Sequence, residues 1–187
     1  MKRVLIFILV LAAFADSQAQ SRKDVKKNRI KSCKVMVTTY SGEKTTTLTE
    51  SFQRFDAAGN VLEETEYTDG GSMKSRHVYS YNGNGDITEE AVYSGDGKLK
   101  KREVLKYNSD GERTEAARYD GAGNLVEREV WTYSASGDRN SEVKMDAKNN
   151  VISKVIILYD NKGMRTSRKT YDAKNNLMSE KKFIYEY

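Results

Sequence analysis

The sequence predicts an all-β fold: an antiparallel up-and-down meander of tandem β-hairpins, about twelve strands with a 26-residue period, curled into a roll or open barrel. Three observations carry that expectation. Aromatic residues recur at fixed spacing, a glycine or asparagine follows each by four positions, and the seven- or nine-residue stretches between turns have the length of strands.

The recurring residues are Phe55, Tyr67, Tyr81, Tyr93, Tyr107, Tyr119, Tyr133, Met145, Tyr159, Tyr171 and Tyr185, spaced alternately by 12 and 14. One residue after each of the first ten stands Asp, Asn, Ser or Thr, whose side-chain oxygen can accept a bond from the backbone two residues on. Four residues after stands Gly59, Gly71, Gly85, Gly97, Gly111, Gly123, Gly137, Asn149, Gly163 or Asn175, the residue types that take positive φ at least cost. A capping oxygen followed by a left-handed residue makes a short hairpin loop, so ten such loops are expected.

Because every spacing is even, a regular pleat would place all these aromatics on one face. Leu105, Trp131, Val155 and Ile157 would join them there. The other face would carry Arg102, Lys106, Arg128, Glu142, Lys144 and Lys154, with Val104, Val130 and Ile156 among them. The mid-strand Glu89, Glu103, Glu115 and Glu127 would also lie on the aromatic face, which argues for a partly wet interior. A membrane β-barrel does not fit short strands that are charged on both faces.

Three segments follow from composition. Residues 1–19 read as a signal peptide: Lys2 and Arg3, an apolar stretch from Val4 to Phe14, then small residues before Gln20. The apolar run is short for a membrane span, so the processed chain is expected to be exported, periplasmic or secreted, and not transmembrane. Residues 20–34 read as a basic flexible arm, and residues 35–187 as the repeat domain. The formal charge of +5 is concentrated in the arm, with Arg22, Lys23, Lys26, Lys27, Arg29, Lys31 and Lys34 against Asp24. Lys34 to Tyr40 and Thr45 to Phe55 form an atypical first hairpin across Ser41-Gly42-Glu43-Lys44, as terminal units often do.

Tyr119-Asp-Gly-Ala-Gly-Asn-Leu125, Tyr159-Asp-Asn-Lys-Gly163 and Tyr171-Asp-Ala-Lys-Asn-Asn-Leu177 resemble the YD repeats of the RHS family. So do the Tyr79-Ser-Tyr81 and Trp131-Thr-Tyr133 pairs before a turn. The resemblance covers roughly residues 55–187 and implies hairpin architecture and an extracytoplasmic life. RHS proteins wind such hairpins into a shell around a toxin. This array is too short to enclose a domain, and its 26-residue period is longer than theirs usually is. A weaker likeness is to MORN-like repeats. Neither family implies catalytic residues here.

No catalytic set stands out. His77 is the only histidine, and Cys33 the only cysteine, flanked by Lys31 and Lys34. With a single histidine, neither a histidine metal cluster nor a conventional Ser-His-Asp site is well supported. Asn82-Gly-Asn84-Gly-Asp86 imitates the start of a calcium loop. Ile87 then stands where glycine is required and Tyr93 where a bidentate glutamate belongs, so turn chemistry is the better reading and no metal or cofactor is expected.

The remaining candidates are Tyr79, Trp131, Phe183, Tyr81 and Tyr133, an aromatic row able to stack on a sugar ring or a protein surface, or to form the protein's own core. Trp131 is expected to be mostly buried, with its indole N–H bonded to a polar group or water. The sequence thus points to a non-catalytic binding module for an envelope glycan or protein partner, not for nucleic acid. The second reading is a self-associating structural sheet.

Overall fold

The computed structural model describes residues 21–186, so the expected signal peptide lies outside the described residues. One short helix, α1 (Arg22–Asn28), precedes twelve strands. These are β1 (Ser32–Ser41), β2 (Lys44–Phe55), β3 (Val61–Tyr67), β4 (Met73–Tyr81), β5 (Ile87–Ser94) and β6 (Leu99–Tyr107). Then come β7 (Arg113–Asp120), β8 (Leu125–Tyr133), β9 (Arg139–Asp146), β10 (Val151–Tyr159), β11 (Arg165–Asp172) and β12 (Leu177–Lys182). All twelve belong to one antiparallel sheet in sequence order. The sheet does not close into a barrel: β1 pairs only with β2, and β12 only with β11.

The ten loops share one bonding scheme. In the loop after Tyr119, the Asp120 N–H donates to the Asn124 carbonyl and the Gly123 N–H to the Asp120 carbonyl. Gly123 sits at φ 85°, a left-handed residue completing a type I turn with a G1 bulge. Asn149 and Asn175 hold the equivalent positions at φ 64° and 62°. Asp120 Oδ1 accepts from the N–H groups of Ala122 and Asn124, the local bonding that its position in the repeat predicts.

The single aromatic face does not survive. Phe55 pairs with Val61, but Arg54 pairs with Glu63, so Leu62 is an extra residue with no partner. The same slip follows every repeat loop, at Lys74, Thr88, Lys100, Thr114 and Val126 among others. One inserted residue exchanges the faces for the rest of the strand. Successive loop-closing aromatics therefore alternate sides. Tyr81, Tyr107, Tyr133 and Tyr159 share a face with Trp131, while Tyr93, Tyr119, Met145 and Tyr171 lie on the other. Glu142 and Lys144 pair with Trp131 and Glu129, so they belong to the tryptophan face. Glu89 and Glu115 pair with Ser80 and Lys106 and lie opposite; Glu103 and Glu127 remain on the tryptophan side.

Part of the basic arm is structured. Ser21 caps α1, its hydroxyl oxygen accepting from the Asp24 N–H, and Val25 is almost wholly buried. Arg22 Nε donates to the Ala58 carbonyl, docking the helix on the loop between β2 and β3. A side chain on Gly59 would collide with the Arg22 backbone. Every substantial packing contact between strands is with a chain neighbour, so the sheet is a single layer.

Candidate functional site

The tryptophan face carries the residues singled out from the sequence. Tyr79, Leu105, Trp131, Ile157 and Phe183 form a row, each 26 residues from the next. Beside it the row of Tyr81, Tyr107, Tyr133, Tyr159 and Tyr185 runs along the same sheet margin. Each of these hydroxyls donates to the carbonyl of the residue twenty positions earlier. The acceptors are Val61, Ile87, Arg113, Arg139 and Arg165, at 2.7–2.8 Å. An aromatic ring lies flat against the sheet while its polar tip bonds the neighbouring strand, so each tyrosine is used internally. Burial, then the Asp56 charge, pushes the Tyr81 hydroxyl pKa up.

Trp131 is 4% exposed although the sheet is one layer thick. The Arg113 guanidinium lies 4.6 Å from its ring centre, and Leu105 and Ala116 pack beside it with Ile87, Tyr107 and Tyr133 at their edge. Arg165 covers Phe183 in the same way at 5.6 Å. The expected burial of Trp131 is therefore observed. Of the expected bond from its indole N–H, to a polar group or water, no protein acceptor is present among the described residues.

The centre of this face is charged. Arg118 bonds Glu103 at 2.7 Å and also Glu127, with Glu129 at 3.7 Å; Lys144 reaches Glu127 at 2.6 Å. Burial opposes the Arg118 charge, but the bonds from Glu127 and Glu103 raise its pKa. Glu129 is raised by burial and by Glu142. The network pairs opposite charges among side chains that are only half-exposed.

On the other face, Arg76 lies over Tyr93 at 4.5 Å and Arg102 over Tyr119 at 4.7 Å. Arg128 continues the ladder with an N–H contact to the Met145 sulfur at 3.9 Å. The 26-residue recurrence of Arg76, Arg102 and Arg128 was a signal for this ladder in the sequence, hidden by the assumption of one aromatic face.

His77 stacks on Tyr79 with centroids 6.3 Å apart, and its Nδ1 meets Glu90 at 2.8 Å. Cys33 lies in β1, with β2 and β3 between it and the His77 strand. At ~4.8 Å per strand the two are roughly 14 Å apart, and no Cys–His pair is assembled. Asn82 Oδ1 accepts from the N–H groups of Asn84 and Asp86, which commits that oxygen to the turn. No group of three or more potential metal ligands occurs among the described residues. No helix among them is long and apolar enough to cross a membrane.

An open groove of about 820 Å³ lies across β1–β4, lined by Val35, Val37, Leu48 and Tyr67 and by Glu50, Glu64, Glu66, Asp69 and Lys74. Sequence reasoning did not find it, because it forms across the atypical first hairpin and its neighbours.

No family model matches the chain, and no curated protein matches it. Among solved structures, a porin-like protein from Bacteroides uniformis is similar at 15% identity, over 74% of this chain and 53% of that one, with a TM-score of 0.37. This chain thus spans about half that protein's length. A TcdB2-TccC3 structure is similar at 12% identity, over 81% of this chain and 11% of the other, TM-score 0.29. A protein of unknown function from Bacteroides fragilis is similar at 16% identity, over 84% and 96%, TM-score 0.25. The meander itself establishes a repeat β-hairpin protein.

Proposed function

We propose that this chain is an exported, non-catalytic repeat module of the RHS-like hairpin type that acts by binding a protein of the cell envelope. The observation that carries the choice of protein over glycan is the covering of the aromatic row. Trp131 and Phe183 each lie under an arginine, and the row of tyrosine hydroxyls is bonded to the sheet. Rings engaged in this way are poor platforms for a sugar. The open edges and the acidic groove, by contrast, present backbone groups and mixed apolar and charged side chains to a protein.

Binding to isolated envelopes tests the reading. The chain from Gln20 onward contains all of the described structure. It should co-sediment with untreated and periodate-treated envelopes, and lose binding after the envelopes are digested with protease. Binding that survives proteolysis and disappears with periodate would replace the protein partner by a glycan.

A further inference from the structure

On the face opposite Trp131 the sheet carries a row of cations without counter-ions. Arg76, Arg102, Arg128 and Lys154 lie in β4, β6, β8 and β10, each 26 residues from the next. Register sets them directly across from Tyr93, Tyr119, Met145 and Tyr171. None of the four joins an ion pair among the described residues, whereas Arg54, Lys106 and Lys169 on the same face pair with Glu63, Glu115 and Glu180. The Nε atoms of Arg76 and Arg128 are buried with no acceptor among the described residues. Lys34 and Lys182 add to the positive charge of this face, and Glu89 is its one remaining strand carboxylate. The rings under Arg76 and Arg102 hold the guanidinium planes in place, which orders their outer N–H groups for a planar, bidentate acceptor.

Beside the row runs an apolar band of Val78, Ala91, Val104, Ala117, Val130 and Val143, one residue from each strand of β4 to β9. The alanines are buried between larger neighbours, and the valines are half-buried with no second layer over them. An occupant must therefore bring apolar side chains to the band and anions to the row. A second copy offering the same face would set cations against cations. A polyanionic glycan has the charge but no apolar side chains. A bilayer is reached by long side chains extended from a surface, and these arginines lie flat against theirs. A protein segment with an apolar stripe flanked by carboxylates supplies both.

We propose that this face docks an acidic, amphipathic segment of the envelope protein partner. Its apolar side chains lie on the valine band and its carboxylates on Arg76, Arg102 and Arg128, with Lys154 extending the row. This rests on the reading of the chain as a protein-binding module and adds the chemistry of what it binds. The basic helix α1 is a separate surface: it docks on the loop between β2 and β3, at the margin of the sheet away from the Tyr93 and Tyr119 turns.

Fluorescence anisotropy of a labelled random copolymer of glutamate and leucine, titrated with the chain from Gln20 onward, tests this. The copolymer should bind, less tightly as salt is added, and more tightly than a polyuronate or phosphatidylglycerol vesicles. Arg102→Gln/Arg128→Gln should weaken binding roughly tenfold while keeping its circular dichroism and Trp131 emission. Lys23→Gln/Lys27→Gln in α1 makes the same change in net charge and should bind like the parent. A second readout needs no variant: bound copolymer should protect Arg102 and Arg128 of the parent from phenylglyoxal and leave Arg29 reactive. Equal loss in the two variants, or protection of Arg29 in place of Arg102 and Arg128, would overturn the proposal in favour of the helix. A polyuronate or vesicle bound as tightly as the copolymer would reassign the face to a glycan or a membrane, and no binding of the copolymer would overturn the proposal outright. If the Arg102→Gln/Arg128→Gln chain still binds envelopes like the parent and in a protease-sensitive way, the module reading stands and only this face falls.

Discussion

At the residue scale, the turns are written twice in the sequence, once in the backbone and once in a side-chain pair. Asp120 accepts through Oδ2 from the Asn124 side chain, as Asp56 does from Asn60, Asp146 from Asn150 and Asp172 from Asn176. Where the first residue is Asn, the second is acidic: Asn82 donates to Asp86 and Asn108 to Glu112. Exchanging the donor and acceptor leaves the bond intact. Asp120→Asn should therefore lower the melting temperature by replacing a charge-assisted bond with a weaker amide–amide one, and Asn124→Asp added to it should restore most of the loss. A double variant no better than the single would refute the pairing.

The same bonds set a pH dependence. Asn124 holds the Asp120 carboxyl below its ordinary value, Asn150 and Asn176 do the same for Asp146 and Asp172, and Ser94 and Lys98 bring Asp96 down to about 2. These groups have folded pKa values below the ordinary 3.8, so they stabilise the fold above that value. That stability is lost as pH falls through the folded values. Thermal melts should thus fall between about pH 4 and 2. A melting temperature that does not fall across that window would contradict the assigned bonds.

Gly123 gives a third test at this scale. Valine there would place a branched side chain at φ 85° and cost on the order of 1–3 kcal/mol. Gly123→Asn should be much milder in urea unfolding, because Asn149 and Asn175 already tolerate this conformation. Equal losses would remove the basis of the assignment.

At the element scale, the strand is where sequence reading and structure part. Strand lengths, loop positions and the 26-residue period were legible because turn residues are dictated locally. The facing of side chains was not. It depends on one extra residue after each loop, such as Leu62 or Thr88, whose effect is to exchange faces, and no residue type marks it. The arginine cover over Tyr93 followed from that exchange and was missed with it, whereas Arg113 precedes the slip and shares the face of Trp131 on a regular pleat as well. The docking of α1 was missed for another reason: Arg22 makes its contact with a loop 36 residues along the chain.

The cover over Trp131 is itself testable. Arg113 also supplies the carbonyl that Tyr133 bonds, but that acceptor is backbone and survives substitution. Arg113→Ala should thus leave the strand pairing in place and strip one side of the indole. Acrylamide should quench the parent weakly and the variant clearly more. Quenching of the parent close to that of free tryptophan would show that the row is an open platform after all.

At the scale of the whole molecule, a sheet in which each strand packs on its chain neighbours behaves as a one-dimensional array, its stability a sum of units and nearest-neighbour contacts. The unit is a pair of strands, not one strand, and this gives the sharpest consequence of the fold. Removing residues 94–119 takes out β6 and β7, one full period, and joins Tyr93 to Asp120, the equivalent of its own successor Ser94. Every later strand keeps its direction and its face. Trp131 moves into the place of Leu105, and the row Tyr79, Trp131, Ile157, Phe183 remains continuous. Such a chain should fold, with a far-UV spectrum of the same shape and a lower melting temperature. Removing residues 108–119 takes out β7 alone and joins Tyr107 to Asp120, which also regenerates a good turn. Locally the two deletions are equally acceptable. But β8 must then run in the opposite direction, Trp131 moves to the other margin of the sheet, and every strand after it reverses against β1–β6. The tyrosine hydroxyls of one half no longer continue the row of the other. The smaller deletion should therefore be the more damaging, giving a chain that melts well below the full-period deletion or does not fold cooperatively. Equal stability of the two would mean that local turn chemistry alone holds this sheet together, and that its two faces are interchangeable.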